Sequence, residues 1–184
     1  MNLPIYKIVL GDTEGIEKMS LVEYPAVERD FLAFSKDEKP LKFSIQDEYQ
    51  HIVMGCALRA NYPIYRNQNG FEFYVVFTPE DINTLYQKFM IDERINDVNL
   101  EHSKDVKGVH LIQSFIKNDE KGISPKGFED CENGSWFVAY KIDNEDIWKE
   151  VLNGTFKGFS IEGEFELHKI DPIDALIDEL INKI

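Results

Sequence analysis

Residues 154–165, GTFKGFSIEGEF, alternate apolar and polar side chains in the way that a half-buried β-strand requires. The apolar positions of the alternation are Phe159, Ile161 and Phe165. Ser160 lies on the opposite, polar face. The pattern therefore predicts a strand that buries one face and presents a serine on the other.

Gly158 and Gly163 bracket Ser160 on this predicted strand. A glycine inside a strand usually marks a bulge or a place where another backbone comes close. A serine held between two such glycines can face an incoming peptide. From spacing alone, an ordinary surface serine on an edge strand is the alternative interpretation.

Composition limits the classes of function. The chain has 184 residues, 43% of them hydrophobic, which predicts a globular domain with a real core. Its formal net charge of -14 argues against nucleic acid and against an anionic membrane surface as partners, because both attract basic proteins. No apolar run approaches the roughly 20 residues that span a bilayer, and the first residues do not have the pattern of a signal peptide.

The cysteines and histidines do not form a metal-binding pattern. Cys56 and Cys131 are far apart, which favours reduced thiols in a cytoplasmic protein. The chain contains neither CxxC nor HExxH. We therefore expect no metal and no cofactor.

The rest of the chain reads as mainly β. Strong strand patterns occupy residues 71–77 and 134–142, and the turn at 67–70 predicts a hairpin before the first of them. Helix-start signals occur at Thr78, at Asp143 or Asn144, and at Asp171. With a further short strand at 31–34, the pattern predicts about seven or eight strands, joined mostly antiparallel into a β-barrel with helices packed outside it. We expect one domain over 1–170 and an amphipathic helix over 171–184 packed on it, with self-association of that helix as the alternative.

A serine needs a base to become a nucleophile, and histidine is the usual one. The chain has four histidines: His51, His102, His110 and His168. The residue pattern alone leaves open which of them, if any, approaches Ser160.

Several segments, in this order along the chain, resemble the XkdF-type phage serine proteases, which are similar to the prohead (capsid maturation) proteases of tailed phages. The segments are SLVEYPA at 20–26, NYPIYR at 61–66, LEH at 100–102, GSWF at 134–137 and KGFSIEG at 157–163. The resemblance runs from about Leu21 to Glu166, which is most of the chain.

The resemblance implies a fold like that of herpesvirus assemblin, an antiparallel β-barrel surrounded by helices. It also implies a serine endopeptidase in which Ser160 is the nucleophile and His102 the general base. The implied substrates are phage scaffold protein and the major capsid protein, cleaved inside the assembling procapsid in the host cytoplasm. A homodimer is plausible by the same resemblance, and a catalytically inactive assembly module of the same fold is the alternative.

The third member of the implied triad is open. In related proteases an acidic residue precedes an SLV-type strand late in the chain, whereas here that strand lies near the N-terminus, which suggests a circular permutation. The residue just before Met19 is Lys18 and not an acid. Glu23 is the first candidate for the third member, with Glu17 and Glu101 as alternatives, and a Ser–His dyad is also compatible.

Two further features concern the surroundings of the site. Arg66 is a candidate oxyanion donor, and its alternative is a structural ion-pair partner in this acidic chain. The long polar segment 118–133 is either a flap near the site or a mobile surface loop. An unrelated small-molecule binder, which would need a deep apolar pocket elsewhere, is the third functional alternative.

Overall fold

The structure, a computed structural model, describes residues 3–11, 14–25 and 44–170. Strands dominate it, and its two α-helices are α1 (Pro79–Ile91) and α2 (Glu145–Leu152). The strands in chain order are β1 (Ile5–Val9), β2 (Gly15–Val22), β3 (Ser44–Asp47), β4 (Ile52–Leu58), β5 (Ile64–Gln68), β6 (Phe71–Val76), β7 (Val98–Leu100), β8 (Lys104–Asp105), β9 (Val109–Ile116), β10 (Trp136–Ile142), β11 (Gly158–Glu164) and β12 (Glu166–Lys169). The prediction of a mainly β chain is thus confirmed.

Hydrogen bonding divides the described strands into three sheets of four, in the orders β12-β1-β6-β5, β3-β4-β10-β9 and β11-β2-β7-β8. Each sheet is open, so the expected closed barrel of about seven strands is not confirmed. The ladders stop at short outer strands such as the two-residue β8, and no hydrogen-bonded ladder between described strands closes a ring. Two pairs, β1 with β6 and β2 with β7, are parallel, although the turn pattern predicted antiparallel neighbours.

Local signals placed several elements correctly. Strands β5 and β6 form the predicted hairpin, and its two loop residues, Asn69 and Gly70, both have positive φ, as a type I′ turn needs. Thr78 caps α1 in a capping box with Asp81, and Pro79 is the first helical residue. Asn144, one of the two predicted caps, begins α2.

The core is formed by buried residues from all three sheets and from both α-helices. Trp136 on β10 is fully buried, and the rings of Tyr86 and Phe89 on α1 pack edge-on against it at 5.9 and 5.3 Å between centroids. The indole N–H of Trp136 donates to Ser114 Oγ at 2.9 Å, so its polar atom is satisfied inside the core.

Segment 118–133 packs on the sheet containing β10 and does not border the groove described below. Phe128 and Cys131 are buried in a small cluster with Cys56 and Phe137. The flap expectation for this segment is therefore wrong. The predicted strand at 31–34 and the predicted helix over 171–184 lie outside the described residues.

Neither helix of the described chain is both long and apolar enough to cross a lipid bilayer.

Candidate active site

Three neighbouring strands place one polar side chain each in the same row. Strand β2 pairs Ser20 with Ser160 of β11 on one side and with Asn99 of β7 on the other. Side chains alternate along a strand, so Met19 and Leu21 point the opposite way, and both are fully buried. The sheet thus covers the core with one face and carries a polar row on the other.

His102 reaches this row from a tight turn. The turn runs from Leu100, where β7 ends, to Ser103, whose N–H donates to the Leu100 carbonyl at 3.0 Å. Its two central residues, Glu101 and His102, have φ values of 50 and 53°, which is the left-handed pair of a type I′ turn. This conformation has a higher free energy for residues other than glycine, and such strain is typical of functional sites.

The imidazole and the serine are in hydrogen-bond contact. His102 Nε2 lies 3.0 Å from Ser160 Oγ. Ser160 is only 6% exposed, whereas the His102 side chain is 40% exposed. The other three histidines lie elsewhere: His51 stacks on Trp148, His110 lies beside Asp143, and His168 is on β12 in register with Lys7.

The other side of the imidazole continues a hydrogen-bond chain. His102 Nδ1 lies 2.9 Å from Ser20 Oγ, and the Ser20 hydroxyl donates to Asn99 Oδ1. Asn99 Nδ2 in turn donates to Glu162 Oε2 at 2.6 Å. The Glu162 carboxylate is also 3.7 Å from His102 Nδ1.

This chain permits one consistent set of donors. An ionised carboxylate only accepts hydrogen bonds, so Glu162 turns the amide group of Asn99 toward itself and the Asn99 oxygen toward Ser20. The single Ser20 proton then goes to Asn99, and the Ser20 oxygen accepts from Nδ1–H of the imidazole. His102 Nε2 is left unprotonated and can accept the Ser160 proton, which assigns the tautomer from the network.

A cation lies at the edge of this site. Lys18 pairs in register with Glu162, and its Nζ is 2.6 Å from Asp105 Oδ1. This hydrogen bond to Asp105 is the main cause that raises the pKa of Lys18, and the Glu162 charge adds a smaller effect in the same direction. The ammonium thus adds positive charge beside a carboxylate that already faces the imidazole.

A groove of about 910 Å³ opens beside Ser160 and His102. Residues 161–165 all border it. Side chains alternate between the two faces of a strand, so an unbroken run of bordering residues indicates that the backbone edge of the strand also faces the groove. The β5–β6 hairpin also lines the groove, with Arg66, Phe73 and Val75. The site thus adjoins a cleft with room for an extended peptide.

Residues 43–169 match the protein family described as "Putative phage serine protease XkdF". The chain belongs to this family. No curated protein and no solved structure matches it.

The family match confirms the resemblance seen in the sequence. Ser160, His102, Asn99 and Glu162 lie inside the matched range, whereas Ser20 lies before it. In this member of the family, the polar row is therefore completed by a strand outside the matched segment.

Among the described contacts of the imidazole there is no hydrogen bond or ion pair to any of the three predicted third carboxylates. The Glu23 carboxylate lies 3.5 Å from Lys157 Nζ, and Glu101 Oε1 accepts from the Glu23 N–H. Glu17 is exposed on β2. Since Nδ1 of His102 already contacts Ser20 and Glu162, the roles assigned to Glu23, Glu17 and Glu101 stay predictions that no contact with the imidazole supports.

Three members of the network escaped the sequence reasoning: Ser20, Asn99 and Glu162. Ser20 and Glu162 both lie in segments that carry the family resemblance, and Glu162 alternates with Ile161 on the same predicted polar face as Ser160. That alternation was the available signal for Glu162. Asn99 gave none, because one asparagine in a three-residue strand has no distinctive pattern.

Proposed function

We propose that this protein is a serine endopeptidase in which Ser160 is the nucleophile and His102 the general base. The observation that carries the proposal is the 3.0 Å contact between Ser160 Oγ and His102 Nε2, at the side of a groove. Membership of a family of phage serine proteases supports the same chemistry.

The reaction follows from the donor set. Ser160 Oγ bonds to the carbonyl carbon of the scissile peptide while its proton passes to His102 Nε2. His102 then gives that proton to the leaving amine nitrogen, the peptide C–N bond breaks, and an acyl-enzyme remains. Water attacks the acyl carbon with His102 again taking a proton, and the returning proton releases Ser160.

We assign positioning roles to Ser20 and Glu162. Ser20 holds Nδ1–H and thereby keeps Nε2 free for the Ser160 proton. Glu162 anchors the far end of the hydrogen-bond chain, and its charge favours the imidazolium that forms during the reaction. Together, Ser20 and Glu162 would do what the sequence led us to expect of Glu23, the first candidate for the third member of the triad.

The biological role that we propose is capsid maturation, with scaffold protein or the major capsid protein as substrate inside the procapsid of the bacterial host. The resemblance to prohead proteases supports it. The antiparallel pairing of β2 with β11 supports a circular permutation, because β2 carries residues 20–22, the start of a segment that resembles one found late in the chain of related proteases. A homodimer belongs to the same proposal.

The test is co-expression with the neighbouring capsid and scaffold genes of the phage. We expect the capsid or scaffold protein to be shortened with the wild type and with Ser124→Ala, an exposed serine away from the groove, but to keep full mass with Ser160→Ala. A fluorophosphonate probe should label the wild type at Ser160 only. Full-length capsid and scaffold proteins in every sample would contradict the protease and favour the inactive assembly module.

A further inference from the structure

Arg66 lines the same groove as Ser160. It lies on β5 in register with Phe73 of β6, and both residues border the groove together with Ser160 and His102. Among the described residues that line the groove, Arg66 is the sole arginine or lysine.

The guanidinium of Arg66 is poorly satisfied within the described chain. Its one hydrogen bond there runs from Nη1 to the Tyr65 carbonyl at 3.2 Å, whereas a guanidinium carries five N–H donors. No carboxylate of the described residues forms an ion pair with it, although the chain contains 34 acidic residues. The structural ion pair that the sequence suggested for Arg66 is thus absent from the described part.

The environment of Arg66 increases the cost of leaving this cation unpaired. It is partly buried, and burial lowers the pKa of its guanidinium. Phe73, which pairs with Arg66 across the hairpin, is buried, and the apolar Val75 and Leu167 also line the groove. A charged group in such surroundings gains most from a partner that carries the opposite charge.

A carboxylate is the partner that matches this group best. The planar fork of a guanidinium accommodates the two oxygens of a carboxylate in parallel hydrogen bonds. The other charged side chains along the groove, Glu101, Glu162 and Glu164, are acidic and would repel an acidic substrate side chain, so such a side chain has one favourable place to bind.

We propose that Arg66 is a specificity residue that binds an aspartate or glutamate side chain of the substrate, at a fixed position relative to the scissile bond. The inference rests on the proposed function of the groove as a peptide-binding cleft. It gives Arg66 a role in substrate choice and none as an oxyanion donor.

A binding experiment tests the assignment without relying on turnover. Random decapeptides displayed on filamentous phage are selected on immobilised full-length Ser160→Ala protein and, in parallel, on Ser160→Ala/Arg66→Gln and Ser160→Ala/Arg66→Lys. We expect the first selection to enrich Asp or Glu at one aligned position, the Lys variant to retain part of that enrichment, and the Gln variant to lose it. Synthetic peptides from the first selection should bind the Gln variant about 10- to 100-fold more weakly.

The control is Ser160→Ala/Arg94→Gln, since Arg94 forms an ion pair with Asp97 outside the groove. It should select the same acidic position as the parent. No acidic position in the first selection, or the same one with the Gln variant, would overturn the inference. Circular dichroism of each variant excludes loss of folding as the cause.

Cleavage separates failure of the inference from failure of the proposed function. The wild type and Arg66→Gln are incubated with a tryptic peptide library from a bacterial proteome, and new termini are mapped by mass spectrometry. Products that appear equally with Ser160→Ala would contradict the protease itself. Products that depend on Ser160 but show no acidic preference, or an Arg66→Gln loss that is equal for all sequences, would overturn only the specificity role.

Discussion

At the scale of single residues, the notable feature is a serine hydroxyl where a carboxylate could orient the imidazole. Ser20 is fully buried between Ser160 and Asn99, so no solvent competes for its oxygen. Glu162 is the carboxylate of this network. It lies 3.7 Å from His102 Nδ1 and accepts a hydrogen bond from Asn99, which links it to Ser20. Orientation and charge, which one aspartate can supply together, are here divided between two side chains.

This division predicts unequal effects of two substitutions. Ser20→Ala removes the acceptor of Nδ1–H, and we expect the rate of fluorophosphonate labelling to fall about 100-fold, within the range of general-base effects. Glu162→Gln keeps an acceptor for Asn99 and removes only a partly exposed charge, so the fall should be about 5- to 10-fold. Labelling rates are measured at pH 7.5 under pseudo-first-order conditions.

Glu164→Gln is the matched control, because Glu164 is exposed on the same strand and borders the same groove. Its labelling rate should stay within twofold of the wild type. A larger loss with Glu162→Gln than with Ser20→Ala would show that the direct charge, and not the hydroxyl, orients the imidazole.

At the scale of elements, the close contact of β11 with β2 depends on one glycine. The register of this pair shifts between Glu162 and Gly163, which is the bulge that the sequence suggested. A Cβ at position 163 would stand 2.1 Å from the Gly15 carbonyl oxygen, a backbone atom that cannot move aside without breaking the pair. The bulge therefore allows the close approach of the strand that holds Ser160.

Gly163→Ala should lower the free energy of unfolding by about 2–3 kcal/mol, as overpacking typically does. Gly15→Ala on the opposing strand is the control, because its Cβ would meet only the flexible end of Lys88 at 3.4 Å, and we expect a change below about 1 kcal/mol. Urea unfolding followed by tryptophan fluorescence gives both values. Equal stabilities of the two variants would mean that the strands separate at little cost.

The elements also show how far sequence reasoning reached. The Asn69–Gly70 hairpin and the cap at Thr78 followed from local chemistry, which neighbouring residues determine. The parallel pairing of β1 with β6 and of β2 with β7 could not be predicted in this way, because strands that are far apart in the chain leave no local sequence signal of their pairing. The pairing of Ser160 with His102 was expected from resemblance and not from spacing, which left four histidines open.

At the scale of the whole molecule, the matched family segment shares its sheets with strands that precede it in the chain. The match begins at residue 43, yet β2 forms the middle of the sheet that holds Ser160, Asn99 and the turn with His102. Removing β2 would leave β11 and β7 without the strand between them and expose the backbone hydrogen-bonding groups of both.

We therefore expect a fragment of residues 43–169 to lack fluorophosphonate labelling and the cooperative thermal unfolding of the full chain. A synthetic peptide of residues 14–25 added at a tenfold excess should restore part of the labelling, whereas the same peptide with Ser20→Ala should restore far less. Labelling of the fragment alone at the full-chain rate would contradict this account of β2.

The central place of β2 also governs when the site can exist during synthesis. During translation β2 is synthesised well before β7 and still longer before β11. It therefore leaves the ribosome before either of the two strands with which it pairs. Pairing across such sequence distances is slow to form. A nascent polypeptide therefore cannot assemble the polar row of Ser160, Ser20 and Asn99 until residue 160 has left the exit tunnel, so any chemistry at this site has to follow the synthesis of residues 1–160.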